Sequence, residues 1–284
     1  MKTTVRVAWL AATAFTAFSS STLAAERIIS AGSSVTELIL ALGAEQQLVG
    51  IDVTSVTPPS LALPKVGYHR QLSAEGLLAL EPTQLLGSNE MGPDTTLKQL
   101  KSAGVDVEVI NSDSTPQGLL QRIVQIASLT HSEAAAGPLK QQVNDALKAL
   151  QAQQPDASAR KKVLFLLIHE GRAANVAGSD TVPDAMITLA GGVNPAATQL
   201  TSYKPLSMEA MVEMQPDVIL VSGRSYDKMG GADAILAAMP MLAATPAGQS
   251  KQIITVDGHA LVGGLGLKSL AEAQRLQALL YPQG

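Results

Sequence analysis

The 284-residue chain has 20 Lys and Arg residues against 24 Asp and Glu residues, which gives a formal net charge of −4. A mildly acidic chain lacks the basic face that nucleic acids and anionic membranes require, so we expect neither as a partner. The chain contains no cysteine, which excludes disulfides, thiolate metal sites and cysteine nucleophiles.

The first 24 residues have the three parts of a signal peptide. The first segment is basic and contains Lys2 and Arg6. An apolar run covers 7–18, and a region of small residues ends at Ala24. The run of about a dozen residues is too short for a membrane span, which needs about 20 in a helix. We therefore expect cleavage after Ala24 and a soluble, periplasmic protein with 18 basic and 24 acidic residues.

Predicted strands and helices alternate along the rest of the chain. An apolar strand at 27–30 is followed by Gly32-Ser33-Ser34, which we expect to cap a helix that Gly43 ends. Further strands are predicted at 48–51, 84–86 and 107–110, with helices that begin at Ser73 and Thr95. This alternation is typical of a parallel sheet with helices on its faces.

An internal repeat is the strongest signal in the chain. Residues 73–88 match residues 207–222 at a constant offset of 134 without a gap. A looser similarity pairs Gly32-Ser33 and its helix with Gly178-Ser179, again expected as a cap, and a helix over 183–190. The chain is therefore predicted to contain two copies of one α/β design.

A long helix is predicted between the two copies, because apolar residues recur at helical spacing over 132–154. The expected fold is α/β, with two Rossmann-like lobes, mainly parallel sheets, one connecting helix and a ligand cleft between the lobes. A single connecting helix favours small rocking over wide closure. The predicted division is a signal peptide at 1–24, an N-terminal lobe at 25–131, a connecting helix at 132–155 and a C-terminal lobe at 156–284.

This organisation resembles the helical-backbone periplasmic binding proteins that serve ABC importers of haem, cobalamin and ferric siderophores. The paired Glu-x-x-x-x-x-x-Pro units at 75–82 and 209–216 carry part of the resemblance. Segments 66–70, 167–170 and 222–225 are most similar to the haemin-binding members, the HmuT type. The resemblance implies a monomeric binding protein, not an enzyme, that captures one haem or two stacked ones. It would deliver them to an inner-membrane ABC permease with its ATPase, downstream of an outer-membrane haem receptor.

The resemblance implies one axial iron ligand from each lobe, Tyr68 and His169. Tyr68 lies in the loop before Ser73, and a phenolate is a hard donor that is known among proximal haem ligands. His169 directly follows the buried strand predicted at 163–168, and ligands bind at the carboxyl ends of strands in open α/β sheets.

Basic and apolar side chains complete the expected haem site. Arg70 is placed either to favour the Tyr68 phenolate or to bind a haem carboxylate, and Arg224 is the expected second carboxylate contact. Weaker candidates for a carboxylate contact are Arg172, Tyr203 and Lys204, and candidates for lining the porphyrin are Met91, Met208 and Met229. We expect His69 to diverge from Tyr68 and His131 to be solvated, and we assign no role to His259. Many relatives carry an aromatic residue and an Arg in the glycine-rich segment, which here reads 263–268 without either.

The resemblance also implies that one glutamate on each lobe docks onto permease arginines. Glu75 and Glu209 match these positions, and they occupy the same place in each repeat. Two separated carboxylates on one face suit a two-point ionic contact. Acids in a first helical turn also stabilise the helix dipole without any partner.

Three alternatives remain beside haem. A ferric siderophore or cobalamin would leave Tyr68 and His169 without a role. A zinc or manganese site needs about three or four converging ligands, whereas the four histidines are scattered. A secreted hydrolase would need a nucleophile or metal motif such as Gly-x-Ser-x-Gly or His-Glu-x-x-His, and neither occurs.

Overall fold

The computed structural model describes residues 26–168 and 173–282, so the predicted signal peptide and both His169 and Arg172 lie outside the described residues. Within these two ranges, no helix has the length and apolar character needed to cross a membrane. The described residues form two α/β lobes, each built on its own sheet.

The first lobe contains a four-stranded sheet in which every pairing is parallel, with the strand order β2-β1-β3-β4. Its strands are β1 (Ile28–Ala31), β2 (Leu48–Ile51), β3 (Gln84–Gly87) and β4 (Asp106–Val109). Its helices are α1 (Ser33–Ala41), α2 (Ala74–Leu78), α3 (Asp94–Ser102) and α4 (Pro116–Leu129), and α5 (Glu133–Ala152) leads to the second lobe. These elements confirm the predicted alternation and the connecting helix.

The second lobe contains a five-stranded mixed sheet with the order β7-β6-β5-β8-β9. Its strands are β5 (Val163–Leu167), β6 (Asn175–Ala177), β7 (Tyr203–Pro205), β8 (Val218–Ser222) and β9 (Ile253–Val256). Its helices are α6 (Val182–Leu189), α7 (Met208–Glu213), α8 (Gly223–Met229), α9 (Ala232–Ala238), α10 (Pro246–Gln249) and α11 (Leu267–Leu280). Strands β5, β8 and β9 are parallel, whereas β6 and β7 pair antiparallel. These two strands are too short for a recognisable sequence pattern.

The repeat found in the sequence is a repeat of structure. Ser73 and Ser207 occupy the N-cap positions of α2 and α7, and each side chain accepts a hydrogen bond from the backbone N–H three residues later. Glu81 and Gln215, also 134 residues apart, both adopt a positive φ, at 49° and 46°. The two copies therefore share their helix starts and the strained turn that leads into β3 and β8.

The serines predicted to cap α1 and α6 have other roles. The N-cap of α1 is Gly32, which has a φ of 124° and makes no side-chain cap hydrogen bond, and Thr181 caps α6 in place of Ser179. Ser34 lies inside the first turn of α1, and its hydroxyl donates to the Gly263 carbonyl at 2.6 Å. This hydrogen bond joins the first lobe to the second.

One continuous apolar core runs through both lobes. It joins β1 and α1 of the first lobe to β5 of the second through helices α4, α5, α6 and α11. Its members include Ile28, Leu38, Val143, Phe165 and Leu276. Since separating the lobes would expose this surface to water, the fold favours small rocking over wide opening.

A glycine-rich segment, 263–266, forms a seam between the lobes. The Arg122 side chain is fully buried and donates to the Leu265 carbonyl at 2.7 Å and the Asp113 carbonyl at 3.1 Å. Gly264 has a φ of 92°, and a Cβ there would lie 2.3 Å from Nη2 of Arg122. Only glycine allows this close approach.

Glu37 holds the start of α11 from the first lobe. Its carboxylate accepts hydrogen bonds from the backbone N–H groups of Leu267 at 2.7 Å and Lys268 at 3.2 Å. Burial raises the pKa of Glu37 to about 7, although these hydrogen bonds and the charges of Lys268 and Arg122 act to lower it. The seam therefore contains a carboxyl group that ionises near neutral pH.

We predict that Gly264→Ala lowers the free energy of unfolding by about 2–4 kcal/mol, because left-handed strain is added to an overpacked contact. Gly104 is the matched control, since it has a φ of 86° and no heavy atom lies within 4 Å of the place that a Cβ would take. Gly104→Ala should lose only the strain of about 1–2 kcal/mol. Equal losses in urea titrations would show that the seam relaxes away from the added methyl group.

We predict that Glu37 makes stability depend on pH between about 4.5 and 7. Because the pKa is higher in the folded state, the folded chain keeps its proton to higher pH, and the stabilisation present below pH 4.5 is lost as the pH rises through about 7. Relative to Glu37→Gln, the wild type should lose up to about 3 kcal/mol of unfolding free energy across this range. Urea titrations at a series of pH values measure the difference. The unfolding free energy of the exposed Glu45→Gln variant should depend on pH as that of the wild type does. If the curve for Glu37→Gln runs parallel to the wild-type curve, the assignment to Glu37 is contradicted.

Candidate ligand-binding cleft

The carboxyl ends of the strands in the two sheets face each other. His259, after β9, donates through Nδ1 to the Thr54 carbonyl, after β2, at 2.6 Å. Ser34, after β1, bonds to Gly263 beside this contact. Ligands of open α/β sheets bind at such strand ends, so the space between the lobes is the candidate cleft. His259 acts here as a contact between the lobes.

Tyr68 is displayed on the loop between β2 and α2, where its side chain is 41% exposed. Gly67 turns the chain with a φ of 94°, and its carbonyl accepts a hydrogen bond from the Val53 backbone at 2.9 Å. The Tyr68 ring meets the His69 ring edge-on, with 4.4 Å between centroids. The loop therefore holds the Tyr68 ring while leaving it accessible.

His69 is almost fully buried and is bound to a buried carboxylate. Its Nδ1 lies 3.0 Å from Oδ2 of Asp52, a residue with no exposed surface. Asp52 also accepts hydrogen bonds from the Gly32 backbone and from the hydroxyls of Thr54 and Ser55. Burial alone would raise the pKa of Asp52, but the hydrogen bonds from His69, Ser55 and Thr54 outweigh it and lower the pKa. Burial likewise opposes ionisation of His69, but Asp52 and, after it, Glu90 raise its pKa overall.

Arg70 is paired with a carboxylate of its own lobe, Glu90. Nη2 of Arg70 contacts Oε1 of Glu90, and Oε2 of the same carboxylate lies 3.7 Å from Nε2 of His69. His69 lowers the pKa of Glu90, and Arg70 adds to this effect against the opposing influence of burial. Arg70 thus has a partner before any ligand is bound.

Tyr203 faces these charges from the second lobe. It lies at the start of β7, where its ring packs edge-on against Phe165 with 6.3 Å between centroids. Burial raises the pKa of the Tyr203 hydroxyl well above its usual value, and the charge of Glu90 adds to this shift while Arg70 opposes it. Tyr203 therefore stays a neutral phenol.

The second lobe contains a cavity of about 840 Å³ at the carboxyl ends of β5 and β8. Its volume is in the range of small-molecule sites, about 300–1,000 Å³. The lining is mainly apolar and includes the flexible side chains Met208, Met211, Met229 and Met239. Polar and basic groups at its edge are Ser222, Arg224, Ser225 and Lys228.

Some of the remaining predicted residues line the cavity, and others do not. Arg224 is exposed in the first turn of α8 and lines the cavity, as do Met208 and Met229. Met91 instead packs in the first-lobe core, where it is 5% exposed. Gly87 lacks a side chain and leaves the space that the Met91 thioether fills.

The two predicted docking acids occupy equivalent positions. Glu75 and Glu209 are both exposed in the first turns of α2 and α7. His131 is exposed next to α5, as expected.

Sequence reasoning missed Asp52 and Glu90. Asp52 directly follows β2, and Glu90 comes three residues after β3. The rule that ligands bind at carboxyl strand ends, which pointed to His169, points to both positions as well. Met211 and Met239 had no comparable signal, because apolar spacing does not separate a cavity wall from a packed core.

Comparison with known proteins gives a consistent result. The chain matches the family model described as "Periplasmic binding protein" over residues 28–260. It is similar to the periplasmic haem-binding protein HutB of Vibrio cholerae, with 70% identity, a TM-score of 0.87 and coverage of 91% of this chain and 100% of that chain. The periplasmic haem-binding protein BhuT in complex with two haems has 36% identity and a TM-score of 0.80, with coverage of 90% and 99%. A cobalamin-binding protein of Halobacterium salinarum is 28% identical over 82% of this chain, which spans 63% of that protein's length.

Proposed function

Because the chain belongs to the periplasmic binding protein family, we propose that it captures haem between its lobes and delivers it to an inner-membrane ABC permease with its ATPase. The observation that carries the proposal is the exposed Tyr68 phenol, whose ring packs against His69, which is itself bonded to the buried Asp52. The similarity to the haem-binding protein HutB over the whole of its chain supports the choice of ligand. The role is binding and delivery by a monomer, without catalysis.

The proposed location is the periplasm, reached by cleavage of the signal peptide after Ala24. An outer-membrane receptor would supply the haem. The basic start and short apolar run of the first 24 residues support export.

Tyr68 is the proposed axial ligand of the ferric iron from the first lobe. A phenolate stabilises ferric iron, and the iron itself favours the ionised form of the hydroxyl. Because the loop is already held through His69, little conformational freedom is lost when the ligand binds. The partly buried Tyr203, whose hydroxyl has a raised pKa, is the poorer candidate for this role.

His169 is the proposed ligand from the second lobe, two residues after the end of β5. With one ligand from each lobe, the cleft would bind one haem or two stacked ones. The BhuT complex, which has two haems, supports this stoichiometry as an option for the fold.

The porphyrin would contact the methionine-lined cavity, and basic side chains would bind its carboxylates. Methionine adapts to a large, flat apolar ligand because its side chain is unbranched and polarisable. The proposed carboxylate partners are Arg70, Arg224 and Arg172, since a guanidinium group can bind a carboxylate through two parallel hydrogen bonds.

Glu75 and Glu209 are the proposed contacts with the permease. Both are exposed, both lie in the first turn of a short helix, and the repeat relates them. A pair of separated carboxylates suits arginines on two halves of a permease.

Cobalamin is the second candidate ligand, and the similarity to the Halobacterium salinarum protein favours it. Cobalamin needs no axial ligand from the protein, so it would leave Tyr68 and His169 without a role. Titrating the protein with each ligand in turn distinguishes the two.

We predict that ferric haemin added to the mature protein gives a saturable, high-spin spectrum of the tyrosinate type. Tyr68→Phe should remove the charge-transfer band and weaken binding at least about tenfold, because the iron loses a ligand (~1.4 kcal/mol or more). Tyr203→Phe is the matched control and should keep the band. An unchanged haemin spectrum together with tight binding of cyanocobalamin would contradict the proposal.

We predict that Glu75→Ala combined with Glu209→Ala abolishes delivery to the reconstituted permease while haemin affinity stays within about twofold, because the acids act through the docked complex. Haem transfer and stimulation of the ATPase are the measurements. A control pair, Glu45→Ala with Glu133→Ala, removes the same charge at exposed sites elsewhere. A fall in haemin affinity would mean that Glu75 and Glu209 line the ligand site.

A further inference from the structure

Glu90 lies between two basic side chains of the first lobe and contacts them unequally. Oε1 of its carboxylate is in direct contact with Nη2 of Arg70, whereas Oε2 lies 3.7 Å from Nε2 of His69. The second distance is longer than a hydrogen bond. In this arrangement Glu90 satisfies Arg70 and only approaches His69.

His69 has an unused hydrogen-bonding position on this side. The residue is 1% exposed, and its Nδ1 is bound to Asp52, but its Nε2 has no hydrogen-bond partner within the described residues. A buried polar atom without a partner loses its bond to water and gains none in return. A shift of about 1 Å would bring the Glu90 carboxylate within hydrogen-bonding distance of this nitrogen.

Arg70, in contrast, is half-exposed at the mouth of the cleft, and so is Glu90, with exposed fractions of 52% and 40%. Both groups can therefore exchange partners with a ligand without a change in the fold. A carboxylate from the ligand that binds Arg70 competes with Glu90, because the two anions repel each other over the same guanidinium group.

We propose that Glu90 is an exchangeable internal competitor for Arg70: a ligand carboxylate displaces Glu90 from Arg70, and Glu90 moves onto Nε2 of His69. The inference rests on the proposed function, since haem brings the carboxylate. Every charge keeps a partner in both states, and Nε2 of His69 gains a hydrogen bond when Glu90 moves onto it. When the cargo leaves, Glu90 returns to Arg70, so it favours release. Glu90 is a positioning residue in this scheme and does not contact the iron.

The test is a comparison of haemin with its dimethyl ester, which keeps the iron and the macrocycle but has no carboxylates. Glu90→Gln should raise haemin affinity about three- to tenfold through slower dissociation, the size expected for one partly exposed ion pair. Affinity for the ester should change less than twofold. An equal gain for both ligands would show that Glu90 acts on the iron centre or on its phenolate ligand, which would overturn the proposal.

A double-mutant cycle separates exchange at Arg70 from a general effect of charge. In an Arg70→Gln background, Glu90→Gln should no longer raise haemin affinity. Asp94→Asn removes one exposed negative charge four residues along the chain and should leave affinity unchanged. If the gain persists without Arg70, or if Asp94→Asn reproduces it, the competition model is wrong.

The move onto His69 has its own spectroscopic signature. Gallium protoporphyrin IX is a diamagnetic analogue that carries the same carboxylates, and its binding should shift the His69 Nε2 proton strongly downfield in NMR spectra. The shift should be absent in Glu90→Gln. An unchanged His69 resonance in the saturated wild type would contradict the transfer.

Failure of the proposed function gives a different result. If the wild type does not bind haemin at all, the haem assignment is contradicted. The proposed displacement of Glu90 by a haem carboxylate is then contradicted as well. If the wild type binds haemin with a tyrosinate spectrum but Glu90→Gln has no effect, only the role of Glu90 is contradicted.

Discussion

The hydrogen bonds around the Asp52 carboxylate organise the cleft side of the first lobe. A fully buried carboxylate is stable only when it is well bonded, and Asp52 draws together the Gly32 backbone after β1, two hydroxyls of its own loop and His69. His69 in turn sets the position of the neighbouring Tyr68 ring. The position of the proposed iron ligand therefore depends on a group that never reaches the ligand.

The second constraint is the close contact between the lobes. Arg122, Glu37 and the glycines at 263–266 form hydrogen bonds and backbone contacts that side chains larger than hydrogen would block. An apolar core also continues from β1 to β5. Together these contacts hold the two lobes in a fixed relative position on either side of the cleft. A cleft that is largely preformed loses little entropy on binding, which suits a carrier that has to bind and release the same ligand.

The sequence predicted the parts of the fold that local chemistry determines. Ser73 and Ser207 cap their helices as expected, and the helix at α5 follows from its apolar spacing. Ser34 was misassigned because a serine after glycine looks like a cap, whereas its actual partner, Gly263, is distant in sequence. Glu90 was missed for the same reason: its significance depends on Arg70 and His69, and only the folded chain brings these three together.

The repeat gives the protein two equivalent exposed acids, which are the proposed docking positions, but two different lobes around the candidate cleft. Glu75 and Glu209 start matching helices, and the turns after them share the positive φ at Glu81 and Gln215. Two acids at equivalent positions would make the same contacts in either orientation of the protein on a symmetric permease. They would therefore not fix that orientation. The two lobes differ, with the proposed ligands Tyr68 and Arg70 in the first lobe and a methionine-lined cavity in the second. The direction in which the ligand is passed to the permease would then depend on the difference between the two sides of the cleft. The surface that contacts the permease would not determine it.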